Sequence, residues 1–552
     1  MRKNKWLAVL VACTLIGGVI SGCSAQRGST ETGEEAVAQE SGSTDEGEKE
    51  KITVAIYDRG TLDPSEGTME ENRWTEWIND NAPVEVEFIA IPRWSSSDKY
   101  STLLASNSAP DLILEYGVDI LQNMITNGSL MPIGDLIDQY SVEYKALLEQ
   151  YPIMKKKGTV NGDLYLFARV DSPYPNHVLL IRKDWMDTLG LSMPETAEEL
   201  YTVAEAFAKQ DPDGNGEDDT YGYSLSFVSG QAIDYMFGTS TQGNLLYDGT
   251  EFNYAWDRMK AKTEYKKRLF DNDIVNKDFA ADSSGEQATQ DFISGKLGII
   301  GLNNGASTAG QSIIENFYEN NPDGELEVMP LPSSEFGQYN PAINPPTQVV
   351  GAINANCKNP EAVIKYIDWL NSSEDIYNTL KYGGEEYSEQ NEDGAWIPKD
   401  EERFNKEVYG TDFYMPISTI NYDIDFRDQF DADTEIGAKM IEIYDKAEEY
   451  YVNVDFAYDR DIMEGSPRPA LSAELSLISS NTYTSSILND NWTKAIVSGD
   501  SYTIEQAEAD NRKLVEEGGG DQLLEYYQNW YKEASEAGEL LTADDFSSFI
   551  QN

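Results

Sequence analysis

Hydrophobic and polar residues alternate along residues 51–57, with Ile52, Val54 and Ile56 on one side, which predicts a β-strand running into Asp58-Arg59-Gly60. The alternation returns at 84–91. Between the two, Trp74, Trp77 and Ile78 fall at one-face helical spacing. A helix is expected around 100–105, and Pro110-Asp111-Leu112-Ile113-Leu114 reads as a third strand ending at Glu115-Tyr116. Strand, helix, strand, helix, strand is the grammar of a parallel α/β sheet. Ligands of open α/β sheets bind beyond the carboxyl ends of the strands. That rule selects Asp58, Arg59, Glu115 and Tyr116 as candidate ligand-binding residues.

Leu136 and Ile137 lie on an amphipathic helix entered through Gly128-Ser129-Leu130-Met131-Pro132-Ile133. Segments 164–170 and 178–182 read as extended, split by Pro173 and Pro175, and mark a crossover between lobes. Helix 183–189 follows. Thr196-Ala197-Glu198-Glu199 is a capping box opening a helix with Leu200, Val203, Ala204 and Phe207 on one face. Residues 255–270 read as helix, Phe292 to Ile300 as a turn and strand ending at Asn303-Asn304-Gly305, and 349–355 as a strand. Pro360 opens a helix with Val363, Ile364, Ile367 and Leu370 apolar. From Ile504 the chain is largely helical, interrupted at Gly518-Gly519-Gly520. There is no internal repeat.

Asp211-Pro212-Asp213-Gly214-Asn215-Gly216-Glu217-Asp218-Asp219 carries the strongest chemical signal. Oxygen side chains stand at positions 1, 3, 5 and 9 with glycine at 6, the first nine positions of an EF-hand-type calcium loop. Asp211, Asp213, Asn215 and Asp219 are assigned as side-chain ligands and Glu217 as a backbone-carbonyl ligand. Position 12 is Gly222 instead of a bidentate Glu, so a further ligand must be water or a residue from elsewhere. An acidic Gly-rich turn without metal is the plainer alternative.

At 552 residues the chain is long enough for two or more domains. Residues 1–22 form a secretory signal: Arg2, Lys3 and Lys5 precede an apolar run too short for a retained membrane helix. The signal ends Ile20-Ser21-Gly22-Cys23, which resembles a bacterial lipobox. Cleavage before Cys23 and acylation of Cys23 are therefore expected, against an ordinary cleavage site with an incidental cysteine. Residues 24–50 are polar and acidic, lack aromatics and read as a disordered tether reaching about 30 Å. Cys13 leaves with the signal, so Cys357 is the only thiol besides Cys23 and no intramolecular disulfide framework is possible. The formal charge is −57 and becomes more negative without the three basic signal residues. Such a surface repels nucleic acid and anionic lipid.

Aromatics make up 11% of the chain, ample for platforms that stack on the apolar face of a ligand ring. Trp74, Trp94, Tyr116, Tyr235, Trp256 and Trp396 are candidates at strand ends or loops, each with core packing as the alternative. Trp185 and Trp369 sit on apolar helix faces and read as core. Asn303 and Asn304 join Arg59 and Glu115 as polar candidates. The single histidine, His177, lies in the presumed crossover; a several-histidine metal site is excluded.

The order of these stretches resembles the bacterial extracellular solute-binding lipoproteins of carbohydrate ABC importers, the large branch of the family that includes alginate- and pectin-oligosaccharide binders. The stretches are Tyr57-Asp58-Arg59-Gly60, Ala109-Pro110-Asp111, Ile181-Arg182-Lys183-Asp184-Trp185 with Pro194-Glu195-Thr196, the Asp211 loop, Phe292 to Gly298, and Asn359-Pro360-Glu361-Ala362. The resemblance implies a periplasmic-binding-protein-like α/β fold: two α/β lobes, a hinge, and a ligand cleft between them. On that basis the first lobe comprises 51–168 and 303–356, and the second 169–302 and 357–552 with the calcium loop at 211–222. It implies a monomer, lipid-anchored outside the membrane through Cys23, that captures an oligosaccharide by lobe closure. Delivery is to a membrane permease pair, with structural calcium, no nucleic acid and no covalent chemistry. An exported glycoside hydrolase or lyase, and a calcium-stabilised adhesin, are the competing readings.

Overall fold

The computed structural model describes residues 49–239, 245–247, 252–303, 308–341, 343–344, 346–391, 394, 396–422, 427, 430–452, 466, 468–482 and 486–550. The signal, Cys23, the tether up to residue 48, and Asn304 lie outside the described residues.

Eight strands build two sheets: β1 (Lys51–Asp58), β2 (Glu85–Pro92), β3 (Leu112–Leu114), β4 (Leu166–Val170), β5 (His177–Arg182), β6 (Ile299–Asn303), β7 (Leu326–Val328) and β8 (Thr347–Ile353). The first sheet runs β2-β1-β3-β8-β4. β1 pairs in parallel with β2 and β3, as the alternating grammar predicts. β2 is the edge strand, which explains its acidic outward residues and the tolerated terminal Pro92. Asp111 pins the start of β3: its Oδ2 accepts from the Thr53 backbone N–H at 2.9 Å and hydroxyl at 2.8 Å.

The parallel grammar fails at β8, which is antiparallel to both β3 and β4. The second sheet, β6-β5-β7, is antiparallel throughout. The reason is topological. β4 carries the chain out of the first sheet and β8 brings it back, so these neighbours must run in opposite directions.

Each sheet has its own core. All five strands of the first contribute to one cluster, with helix Pro360–Leu370 packed on it. Along β5 the side chains alternate between two clusters: Leu179 and Ile181 meet helices Ala197–Lys209 and Phe227–Met236, whereas Val178 and Leu180 meet Thr308–Asn320 and Glu435–Tyr451. This is the pattern of a strand buried on both faces. Packing groups two segments by sheet. Residues 357–417 join the first sheet, through Cys357, Val363, Leu370, Met415 and Ile417. Ile314, Phe317 and Val328, assigned to the first lobe, belong with the second sheet. Sequence order could not show this, because the chain crosses between sheets three times.

The crossings lie side by side. Tyr174–Pro175, between β4 and β5, pairs antiparallel with Ile343–Asn344, between β7 and β8. The Asp171 N–H donates to the Pro346 carbonyl at 2.9 Å. In the third crossing the Thr419 N–H donates to the Val170 carbonyl at 3.0 Å, and its hydroxyl donates to Asp171 at 2.7 Å. The helical tail adds two small cores, one around Leu523 and Trp530 and one around Trp256 and Trp492.

Candidate functional site

The carboxyl ends of β1, β2 and β3 bring together a cluster of rings and guanidinium groups. Tyr57, at the end of β1, donates its hydroxyl to Glu115 Oε1 at 2.6 Å, and Glu115 is fully buried at the end of β3. Gly117 N–H reaches the same carboxylate oxygen at 2.7 Å, and the Tyr116 N–H donates to the Tyr57 hydroxyl at 3.1 Å. Burial, followed by the Glu115 carboxylate, pushes the Tyr57 phenol far above its ordinary range, so it stays a donor. The rings of Tyr57 and Tyr116 are 5.7 Å apart.

The turn after β2 carries Arg93 and Trp94 over this base. The Arg93 guanidinium lies 4.8 Å from the Tyr57 centroid, 5.9 Å from Tyr116 and 5.6 Å from Trp94. Trp94 is 82% exposed, the most exposed large hydrophobic among the described residues. Arg59 is held by Asp412 at 2.7 Å, and Arg169 by Asp171 at 3.0 Å. Asp58 caps its own turn, its Oδ1 accepting from Gly60 N–H at 2.8 Å. A solvent-facing indole beside an ordered polar base can stack an apolar ring face and hydrogen-bond what projects from it.

Thus Asp58, Arg59, Glu115 and Tyr116 share one locality, as strand order predicted, with Glu115 beneath the surface as the group that orients Tyr57. Other candidates lie elsewhere. Trp74 is a packing residue, 4% exposed, with its indole N–H donated to the Glu407 carbonyl at 2.7 Å and its ring against Tyr387. Trp256 opens helix Trp256–Asp271 and is buried against the helical tail, between Tyr254 and Arg512. Tyr235 is buried on helix Phe227–Met236, its ring 5.9 Å from that of His177, which is itself buried in β5. Trp396 is half-buried in the hairpin Ser388–Gln390/Trp396–Pro398. Asn303 is exposed at the end of β6. Trp185 is core as expected, and Trp369 is half-buried against Tyr366. Cys357 is buried, which pushes its thiol up to about 12 and makes it inert.

Sequence reasoning missed Tyr57, Arg93, Arg169 and Asp412. Arg93 was within reach of it, because it is the first residue past β2 and obeys the strand-end rule. Arg169 and Asp412 come from distant segments, and no local pattern marks them.

The Asp211 loop lies on the second lobe after helix Ala197–Lys209, whose capping box is present. Gly216 adopts φ 80° and its N–H donates to Asp211. The Asn215 amide nitrogen lies 2.8 Å from Asp213 Oδ2 and 3.1 Å from Asp219 Oδ1, so the two carboxylates converge on one point. Burial, with Asp211 beside it, raises the Asp213 carboxyl above its usual range. Lys296, paired to Asp219 at 2.8 Å, holds that carboxyl below its usual range. Among the described residues no cluster of three or more His, Cys, Asp or Glu groups is already arranged as a metal cage. The donor set nevertheless suits a hard cation: three carboxylates and an amide crowd together with only one ammonium to balance them. The structure also explains the missing ligand at position 12. A Cβ on Gly222 would come within 1.8 Å of the Ala204 carbonyl oxygen, so no glutamate fits there. Nearby, Tyr221, Ser226, Asn276, Asp282 and Asp291 line a cavity of about 470 Å³.

Comparison with known proteins agrees with this architecture. YtcQ of Bacillus subtilis strain 168, named a polygalacturonan/rhamnogalacturonan-binding protein, is 27% identical over 397 residues, 69% of this chain and 73% of its own length. LipO of the same organism, named a lipoprotein, is 29% identical over 337 residues, 58% of this chain and 60% of its own. The Streptococcus pneumoniae ABC-transporter substrate-binding protein FusA, solved as an EF-hand mutant in complex with fructo-nystose, superposes with a TM-score of 0.58 at 20% identity. It covers 88% of this chain and 100% of its own. The family model described as bacterial extracellular solute-binding protein matches residues 70–376. With that match running over more than half of its length, the chain belongs to the bacterial extracellular solute-binding protein family.

Proposed function

We propose that this protein captures an oligosaccharide outside the cell and delivers it to the permease pair of an ABC importer, without covalent chemistry. The carrying observation is Trp94, a largely exposed indole at the strand ends over the Tyr57–Tyr116–Arg93 base. In this reading Trp94 is the saccharide platform, Asp58, Arg59, Arg93 and Tyr116 take hydroxyls around it, and Asn303 contributes from the second sheet. The relatives' names support the saccharide class, and the LipO name supports anchoring through Cys23. The side-by-side crossings, with the short ribbon Tyr174–Pro175/Ile343–Asn344, give the lobes a hinge about which a ligand touching both would favour closure. Fluorescently labelled oligosaccharides incubated with the protein are expected to bind and to be recovered at full length. Shortened products would favour a hydrolase or lyase, and an absence of binding across the panel would remove the reading.

The proposal includes structural calcium held by Asp211, Asp213, Asn215 and Asp219 side chains and the Glu217 carbonyl. A bound cation would neutralise carboxylates that otherwise repel one another, and so tie the loop to helix Ala197–Lys209. Among the described residues the loop touches none of the Trp94 cluster. Chelation is therefore expected to lower the melting temperature by several degrees while oligosaccharide affinity stays within about twofold. Identical melting curves with calcium and with chelator would overturn the assignment.

A further inference from the structure

The chain holds 98 acidic residues, and among the described residues ten of the eleven arginines have a carboxylate partner or a hydrogen bond. Arg93 is the exception. Its guanidinium lies against the three rings of Tyr57, Trp94 and Tyr116. The neighbouring ionic groups have partners of their own, although the buried Glu115 Oε2 accepts no hydrogen bond among the described residues. Arg59 is paired with Asp412 and Arg169 with Asp171. Asp58 accepts from Gly60, and Glu115 accepts from Tyr57 and Gly117.

Aromatic faces hold a guanidinium in place and exclude part of its water, but they satisfy none of its five N–H donors. The rings thus fix the orientation of a planar fork and leave its hydrogen-bonding edge open. The acceptor that matches such a fork is a planar pair of oxygens on one carbon, a carboxylate. The neighbouring residue is the exposed Trp94 platform. On a uronic acid the carboxylate is attached to the pyranose ring itself, so a ring stacked on Trp94 presents that group at its rim, where the guanidinium stands.

We propose that Arg93 is a specificity-determining residue that selects carboxylate-bearing saccharides, making the ligand a uronate-containing oligosaccharide. This rests on the saccharide reading above and narrows it. It also explains how an anion reaches a protein of charge −57: the overall field is unfavourable, and one uncompensated cation beside the platform offsets it locally.

The test uses the tether-free soluble protein and calorimetric titration with galacturonate, mannuronate and glucuronate trisaccharides, each beside its methyl ester. Esterification keeps the ring, linkage and length and removes only the charge. At least one free acid is expected to bind roughly tenfold or more tighter than its ester. Arg93→Gln should abolish that difference by weakening the acid and sparing the ester, and Arg93→Lys should restore part of it. Melting curves of both variants should match the parent, because among the described residues the side chain makes no hydrogen bond or ion pair. Equal binding of acid and ester, discrimination surviving in Arg93→Gln, or preference for a neutral or sulfated trisaccharide would overturn this inference while leaving saccharide capture intact. Failure of every acid, ester and neutral trisaccharide to bind would overturn both.

Discussion

Asp234→Asn is expected to destabilise the protein by about 3–5 kcal/mol, measured by urea unfolding at neutral pH. Asp234, on helix Phe227–Met236, is paired with two lysines one turn apart on helix Trp256–Asp271: Lys262 at 3.0 Å and Lys266 at 2.7 Å. Lys262 also donates to the Thr239 hydroxyl at 3.0 Å. Burial pushes the Asp234 carboxyl up, but the two ammonium groups outweigh it and hold the carboxyl below its usual range. Burial also pulls Lys262 below its usual range, more than Asp234 raises it. The two shifts disagree about the net worth of the cluster, and a buried ion pair is weak evidence of stabilisation in itself. Its disruption is a different quantity. Asparagine would leave two ammonium groups facing each other in a dry site. The pH sign follows from the depressed Asp234 carboxyl: its contribution is present at neutral pH and is lost as pH falls through its folded-state pKa. The variant should lack that acid-side loss. Adding Lys262→Met should recover part of the stability by removing one of the stranded charges. A loss below 1 kcal/mol in Asp234→Asn would show that the lysines find other partners.

Trp94→Ala is expected to weaken oligosaccharide binding by about 2 kcal/mol, roughly 30-fold, with no change in melting temperature. The prediction separates the two roles an indole can take in this chain. Trp94 projects into solvent, so truncation removes a contact surface and leaves no cavity. Trp74 is buried with its N–H satisfied, so its truncation should do the opposite, lowering stability without touching the ligand directly. Calorimetric titration and thermal melts of the same two variants distinguish them. A Trp94→Ala protein that binds as tightly as the parent would move the platform elsewhere, and Trp396 and the cavity beside Tyr221 would then be the places to look.

Much of this was legible in the sequence where the determinant was local. The alternation at β1 and β2, the capping box at Thr196 and the proline-opened helix at Pro360 each depend on residues a few positions apart. The strand-end rule found Asp58, Arg59, Glu115 and Tyr116 in the same way, because a parallel sheet places successive strand ends together. The spacing of the Asp211 loop likewise raises a bound cation as an expectation from a few neighbouring residues. The aromatic platforms could not be ranked by the same means. Trp74, Trp94 and Trp256 look alike in sequence, and only packing against Tyr387, Tyr254 and Arg512 separates the buried two from the exposed one.

By itself the sequence determined a strongly acidic α/β protein and the strands of its first sheet, and it named the strand ends proposed for the ligand. Each of these follows from periodicity, composition or short spacing, which the chain carries within a few residues. Tertiary structure decided which segments belong to which lobe, why β8 opposes its neighbours, and why Gly222 excludes a glutamate. It also decided which partner each arginine finds, and left Arg93 without a hydrogen bond or ion pair among the described residues. Those outcomes depend on residues brought together from segments as far apart as Arg59 and Asp412, whose proximity is set by three crossings between two sheets. Nothing in a local window encodes that distance.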